Sequence, residues 1–247
     1  MKILVCISKT PDTTTKISFV DGNTKFNYEK VQLIINPYDE WYALVRALEL
    51  KEKGLAAQVS VINVGLADSD AIIRKALAIG GDDAVRVNAE PTDAFFVADQ
   101  IAQYAINEKY DAVFLGKETI DYNGSQVGGM VAGIMDVPFI SLASKFELNG
   151  NVATAERDIS GGKETIEVTA PFVISCSKGM AEARIPNMRG IMAARTKPIK
   201  VIEPNATEKL TSVKNYELPI EKAGCKMIAA DNVEELVRLL HEEAKVI

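Results

Sequence analysis

Continuous apolar runs alternate with helix-patterned segments along the first 140 or so residues, and no other feature constrains the fold as tightly. The run "KILVCIS" (residues 2–8) has no polar alternation, as in a strand covered on both faces. "QVSVINVG", "AVRVNA" and "DAVFLG" repeat the pattern. Between them lie "NPYDEWYALVRALELKEKG", "ADSDAIIRKALAIGG" and "TDAFFVADQIAQYAINEKY", each with helical spacing. In the first of these, Asn36 is a cap candidate, Pro37 suits the first turn, and Gly54 closes the segment. Leu44, Ala47 and Leu48 follow the helical period, with Lys51 at the polar edge. Strand and helix alternating over short connections predict an α/β fold with a doubly wound, mostly parallel sheet.

The rhythm changes after Pro138. The stretch "SKFELNGNVATAERDISGGKETIEVTAPFVISCS" alternates in short runs, broken at Asn149-Gly150 and Gly161-Gly162. It predicts antiparallel strands joined by hairpins, extending the sheet. An earlier hairpin is expected in "ISFVDGNTKFNYEKVQLII", turning at Asp21-Gly22. "KGMAEARIPNMRGIMAARTKPI" has mixed polarity and little period. The division expected is an α/β domain over 1–203, with an irregular loop at 178–195, and a C-terminal arm over 204–247. The arm ends in an amphipathic helix capped by Asp231 or Asn232.

Composition excludes several classes. The formal net charge of −6 argues against general nucleic-acid affinity. No apolar run approaches membrane-spanning length. Cys6, Cys176 and Cys225 lie far apart and form no C-x-x-C, and the one histidine, His241, supplies no histidine-rich metal site. Reduced, mostly packed cysteines and a start that runs straight into a strand point to the cytoplasm.

In open parallel sheets ligands bind beyond the carboxyl ends of strands, near the switch in strand order. Four segments qualify: residues 9–12, 36–39, 65–68 and 116–128. The last, "GKETIDYNGSQVG", holds the most chemistry. Gly124, Gly128 and Gly129 allow close backbone approach, and Ser125 and Gln126 carry hydrogen-bonding groups. A helix N-terminus there would favour an anion, and Asp121 would accept from a ribose hydroxyl or a backbone amide. The alternative is an ordinary capped turn with small residues for helix–sheet packing. Neither G-x-x-x-x-G-K-[ST] nor a G-x-G-x-x-G after the first strand occurs. "ISGGKET" imitates the loop of ATP pyrophosphatases but lies between alternating strand-like runs, which predicts a hairpin turn. No nucleophile–base pair stands out, so a binding or carrier role gains weight.

The blocks "KILVCISKTPDT", "INPYDEWYALVRALELKEK", "IIRKALAIGGDDAVRV", "GKETIDYNGSQVGG", "AERDISGGKETIEVTAPFVISC" and "IMAARTKPI" resemble, in order and over nearly the whole chain, the beta subunit of electron transfer flavoproteins. The resemblance implies a heterodimer with an alpha subunit that holds most of the electron-transferring FAD. It implies a buried AMP in this chain, or a second FAD as in electron-bifurcating members. The nucleotide contacts it implies fall on Cys6, Asn36, Pro37, Tyr38, Asp39, Val64, Asp121, Asn123, Gly124, Ser125, Gln126, Val127 and Gly128. "AEARIPNMRGIMAAR" matches the recognition loop for flavin dehydrogenases, which implies partner contacts at Arg184, Ile185, Pro186, Asn187, Met188, Ile191 and Met192. Met188 stands where a leucine is usual, and "ARIPNMRG" departs from the commoner "PRYxxLPN". Arg157 and Asp158 match a charged pair at the subunit boundary. The remaining alternatives are a stand-alone adenine-nucleotide binder, which would lack the loop and the arm, and a pyrophosphatase-like enzyme, whose motif position here reads "SKTPDT".

Overall fold

The structure, a computed structural model, describes residues 1–221 and 224–247. Lys222 and Ala223, inside the expected arm, lie outside the described residues. The elements run β1 (Lys2–Cys6), β2 (Lys9–Pro11), β3 (Phe19–Val20), β4 (Lys25–Phe26), β5 (Leu33–Ile35), α1 (Asp39–Glu52) and β6 (Gln58–Val64). After a 3-10 turn come α2 (Asp70–Ile79), β7 (Asp83–Val87), α3 (Ala94–Asn107), β8 (Ala112–Gly116) and α4 (Val127–Met135). Then follow β9 (Phe139–Asn149), β10 (Val152–Ile159), β11 (Gly162–Thr169), β12 (Phe172–Cys176), α5 (Met188–Ala194), β13 (Ile199–Ile202) and α6 (Val233–Arg238).

Nine strands form one sheet in the order β11-β10-β9-β12-β8-β1-β6-β7-β13. From β9 to β13 every neighbouring pair is parallel, and β10 and β11 add an antiparallel extension. Chain order grows from β1 outward through β6 and β7, then returns to β8 on the other flank of β1. The helices change face at the same step. One core packs Leu44 and Leu48 of α1 and Ile73 and Leu77 of α2 against Ile3, Val5 and Phe114. The other packs Ile101 and Ala102 of α3 and Val131 of α4 against Leu4, Ile62 and Val113. Alternate residues of β1 thus feed opposite cores, the reason its sequence is apolar throughout.

Three local expectations need correction. "PFVISC" is not a further antiparallel strand: β12 inserts between β9 and β8 and is parallel to both. Its five residues are all buried, so it needs apolar groups on both faces. Asn36 does not cap α1. Tyr38 occupies the cap position without a side-chain bond, and the Asn36 side chain is engaged elsewhere. The stretch after Lys178 contains two elements its weak period hid, α5 and the edge strand β13. The Asn149-Gly150 and "ISGG" turns do join antiparallel pairs, with Ile159 opposite Gly162 in the second.

The chain separates into two compact units, one of Met1–Lys16 and Asn27–Lys214, the other of Ile17–Phe26 and Asn215–Ile247. Residues 204–214 belong to the first. Asn205 N–H donates to Gln100 Oε1 at 2.7 Å, and Leu210 and Thr211 N–H donate to Asp93 Oδ2 at 2.7 and 2.8 Å. In the second unit the β3–β4 hairpin, its turn in positive φ from Asp21 to Asn23, receives Tyr216, whose ring stacks on Phe19 at 5.0 Å. Asn232 caps α6, accepting from Glu235 N–H at 3.3 Å.

Candidate functional site

The switch in strand order lies beside β1, and the crevice opens beyond its carboxyl end. Two of the four candidate segments close one side of it. Residues 9–12 contain β2, which pairs with β5, and Lys9 Nζ reaches Asp68 of the 65–68 segment at 2.5 Å. The other two segments are tied to each other by Asn36. Its Nδ2 donates to the Glu118 carbonyl at 2.9 Å, and its Oδ1 accepts from Ile120 N–H at 3.0 Å. The side chain is fully buried, and its backbone N–H donates to the Ser8 carbonyl at 3.0 Å. One residue, through its side-chain amide and its backbone N–H, thus ties together the β5–α1 joint, the turn after β1 and the loop after β8.

Next to it the backbone is strained. Tyr38 has φ 67° and ψ −94°, and Asp39 N–H donates to the Pro37 carbonyl at 3.1 Å. This is a γ-turn with positive φ, a rare conformation for an aromatic residue that clusters at functional sites. The Tyr38 ring is exposed. With Asp39, Tyr42, Lys117, Glu118 and Lys178 it lines a shallow pocket of about 250 Å³.

The loop leading into α4 divides between two roles. Asp121, Tyr122, Asn123, Gly124, Ser125 and Gln126 are all exposed. Asn123 and Ser125 take left-handed conformations, φ 48° and 50°, and a Cβ on Gly124 would meet nothing within 4 Å. Ser125 Oγ donates to Glu118 Oε2 at 2.8 Å and holds that carboxyl below its ordinary pKa. Gly128, by contrast, is a packing glycine: a Cβ there would lie 3.0 Å from both Leu115 and the Phe139 ring. α4 starts without a side-chain cap and without an acid in its first turn. The amides of its first turn are therefore available to an anion. Cys6 and Val64 lie on adjacent strands at the floor, both buried within the second core. Burial, with the Glu40 charge added, pushes the Cys6 thiol well up.

Glu40 is the residue that sequence reasoning missed. It falls on the buried stripe of α1 with Ala43, Leu44 and Ala47, a visible clue in the helical period. Its carboxylate accepts from Ser8 N–H at 2.6 Å and from the Ser8 hydroxyl, bracing the end of β1 against the start of α1. Burial pushes its pKa to about 8, the Ser8 bonds oppose the rise, and the Asp121 charge adds to it. Gly116 is required beneath it: a Cβ would come 2.8 Å from the Glu40 backbone nitrogen.

The other expected residues lie apart from this crevice. Arg157 bridges the hairpin sheet, donating to Glu164 of β11 and Ser141 of β9, both at 2.5 Å, while Asp158 beside it is exposed. In 184–192, Ile185 is 91% exposed and Met188 72%, with Asn187, Ile191 and Met192 also exposed and Pro186 half-buried. Arg184 differs, for its guanidinium is turned onto Glu52 of α1 at 2.6 and 3.0 Å. Among the described residues no group of three or more His, Cys, Asp or Glu could hold a metal ion, and no helix is long and apolar enough to cross a membrane. Cys6 and Cys176 are buried free thiols, whereas Cys225 is exposed.

The family model for the electron transfer flavoprotein domain matches residues 24–207. A protein of Bacillus subtilis (strain 168) described as electron transfer flavoprotein subunit beta is 34% identical over 262 residues, covering all of both chains. The subunit beta of Syntrophomonas wolfei is 37% identical over 224 residues, covering 90% of this chain and 88% of its own. The human subunit beta is 33% identical, covering all of this chain and 99% of its own. With one family domain over most of its length and relatives that match it from end to end, the chain belongs to the electron transfer flavoprotein beta-subunit family.

Proposed function

We propose that this chain is the non-catalytic subunit of an electron-carrying heterodimer. An alpha subunit would hold most of the FAD, which supplies the redox chemistry when bound. This chain would bury AMP and present residues 184–192 to flavin dehydrogenases. Asn36 to Asp39 and Asp121 to Gly128 would surround the ribose and phosphate, over a floor at Cys6 and Val64. Arg157 and Asp158 would face the subunit boundary. The observation that supports this best is the latch by which Asn36, two residues before the γ-turn at Tyr38, holds Glu118 and Ile120 of the loop that leads to the uncapped start of α4.

AMP is favoured over a second FAD by the start of α3. Bifurcating relatives carry a pattern like D-T-x-A-T-S there; this chain reads "DAFFVAD" from Asp93. Ala98 is fully buried, and Phe96 and Val97 pack against the second core. Asp93 itself accepts from Phe96, Leu210 and Thr211 N–H groups. A second phosphate would find few hydroxyls to replace its water, and such burial is costly. The test is to extract the purified heterodimer and count nucleotides by chromatography. One FAD and one AMP per complex support the reading, whereas two FAD and no AMP would replace it with the bifurcating one.

A further inference from the structure

Both ends of the exposed 185–192 stretch are fastened to helices. At the leading end the indole N–H of Trp41, on α1, donates to the Arg184 carbonyl at 2.9 Å. The Arg184 guanidinium closes a two-point ion pair on Glu52, with Glu49 3.8 Å away. At the trailing end Arg74, on α2, donates to the carbonyls of Ala194 and Lys197 at 2.6 and 2.5 Å. The Lys197 ammonium donates back to the Leu77 carbonyl of α2 at 3.0 Å. Gly190 lies so close to α2 that a Cβ would fall 2.2 Å from the Ala78 carbonyl oxygen. The two fastenings meet where the Lys75 ammonium sits over the Trp41 ring, 5.0 Å from its centroid.

A half-buried aromatic ring on a helix is usually explained by packing, and Trp41 does pack against the first core. Packing alone does not require the N–H to find a carbonyl 143 residues away in sequence, nor a cation over the outer face. We propose that Trp41 is the positioning residue of the loop. It holds the Arg184 carbonyl, and with the Arg184–Glu52 pair it fixes where Ile185 and Met188 stand before a partner arrives. An irregular segment that is already ordered loses less conformational entropy on docking. This inference rests on reading 184–192 as the dehydrogenase-docking surface.

The test uses the purified heterodimer with Trp41→Phe, which keeps a ring but removes the donor, and Glu52→Gln, an exposed change that does not threaten the fold. Hydrogen exchange at the amides of Gly190 and Ile191, the two that donate to Asn187, should quicken about fivefold in each variant, the worth of one hydrogen bond. The KM for electron transfer from a flavin dehydrogenase accepted by the wild type should rise about threefold to fivefold at unchanged kcat. Flavin content should hold in both variants, and the melting temperature in Glu52→Gln. In a Met188→Ala background, Trp41→Phe should add little further, because it acts through the loop. Unchanged exchange in both variants overturns the proposal. So does faster exchange with unchanged KM while Met188→Ala alone raises KM, since loop order would then go unused. If Met188→Ala leaves KM unaltered while exchange still quickens, the docking surface lies elsewhere, and the positioning role falls with that reading.

Discussion

Glu40 places a carboxyl on the buried side of α1, with only hydroxyl and amide donors to satisfy it. Its pKa rises from an ordinary 4.5 to about 8 in the folded chain, so between those values the native state binds the proton that the unfolded state has lost. Stability therefore falls as pH rises through that window, by up to about 1.4 kcal/mol per pH unit, and levels off above it. The urea midpoint should decline between pH 6 and pH 9, and Glu40→Gln should flatten the decline; an equal slope in both proteins would contradict the assignment. Asn36 makes the complementary case. Asn36→Ala leaves the Glu118 carbonyl and Ile120 amide without their buried partner, at a cost of about 1–3 kcal/mol. Nucleotide content of the purified complex should drop with it. Full nucleotide retention together with the stability loss would mean that the latch serves the fold and not the ligand.

At the scale of elements, what was legible in the sequence was what is local. The β1, β6, β7 and β8 strands and helices α1 to α3 announce themselves by period and punctuation, and the 121–128 loop by its glycines and its place after a buried strand. Asn36 misled because its residue type and position satisfy the rule for a helix cap, while its actual partners lie 82 and 84 residues away. Strand order is equally non-local. Turn residues announce hairpins, but nothing in them says that β12 leaves the meander, although the apolar run Phe172 to Ile174 that opens it differs from the alternation in β10 and β11. β13 is a short edge strand flanked by prolines, where one neighbour is enough and the apolar signal is weak. The α5–α2 contact gives a direct test of such distant pairing. Gly190→Ala should force the helices apart against a backbone carbonyl and destabilise the protein by about 1–3 kcal/mol. An unchanged melting temperature would show that α5 rides free of α2.

On the scale of the whole molecule, we propose that the second unit is a docking element. Ile220 is 97% exposed, and Val233, Leu236 and Val237 present an exposed apolar face on α6 at helical spacing. Removing residues 231–247 should weaken binding to the alpha subunit while leaving the nucleotide in place, measurable by dilution-dependent dissociation of the complex. Undiminished affinity would assign the subunit contact to the first unit. The polypeptide contains a single tryptophan, and it stands at the joint between α1 and the exposed loop. The ultraviolet emission of the isolated chain is therefore a local signal: its colour follows the wetting of one indole. Heating followed at that wavelength times the detachment of the loop, whereas circular dichroism times the loss of the sheet. Wherever local opening precedes global unfolding the two curves separate, and this chain brings its own dye to the experiment.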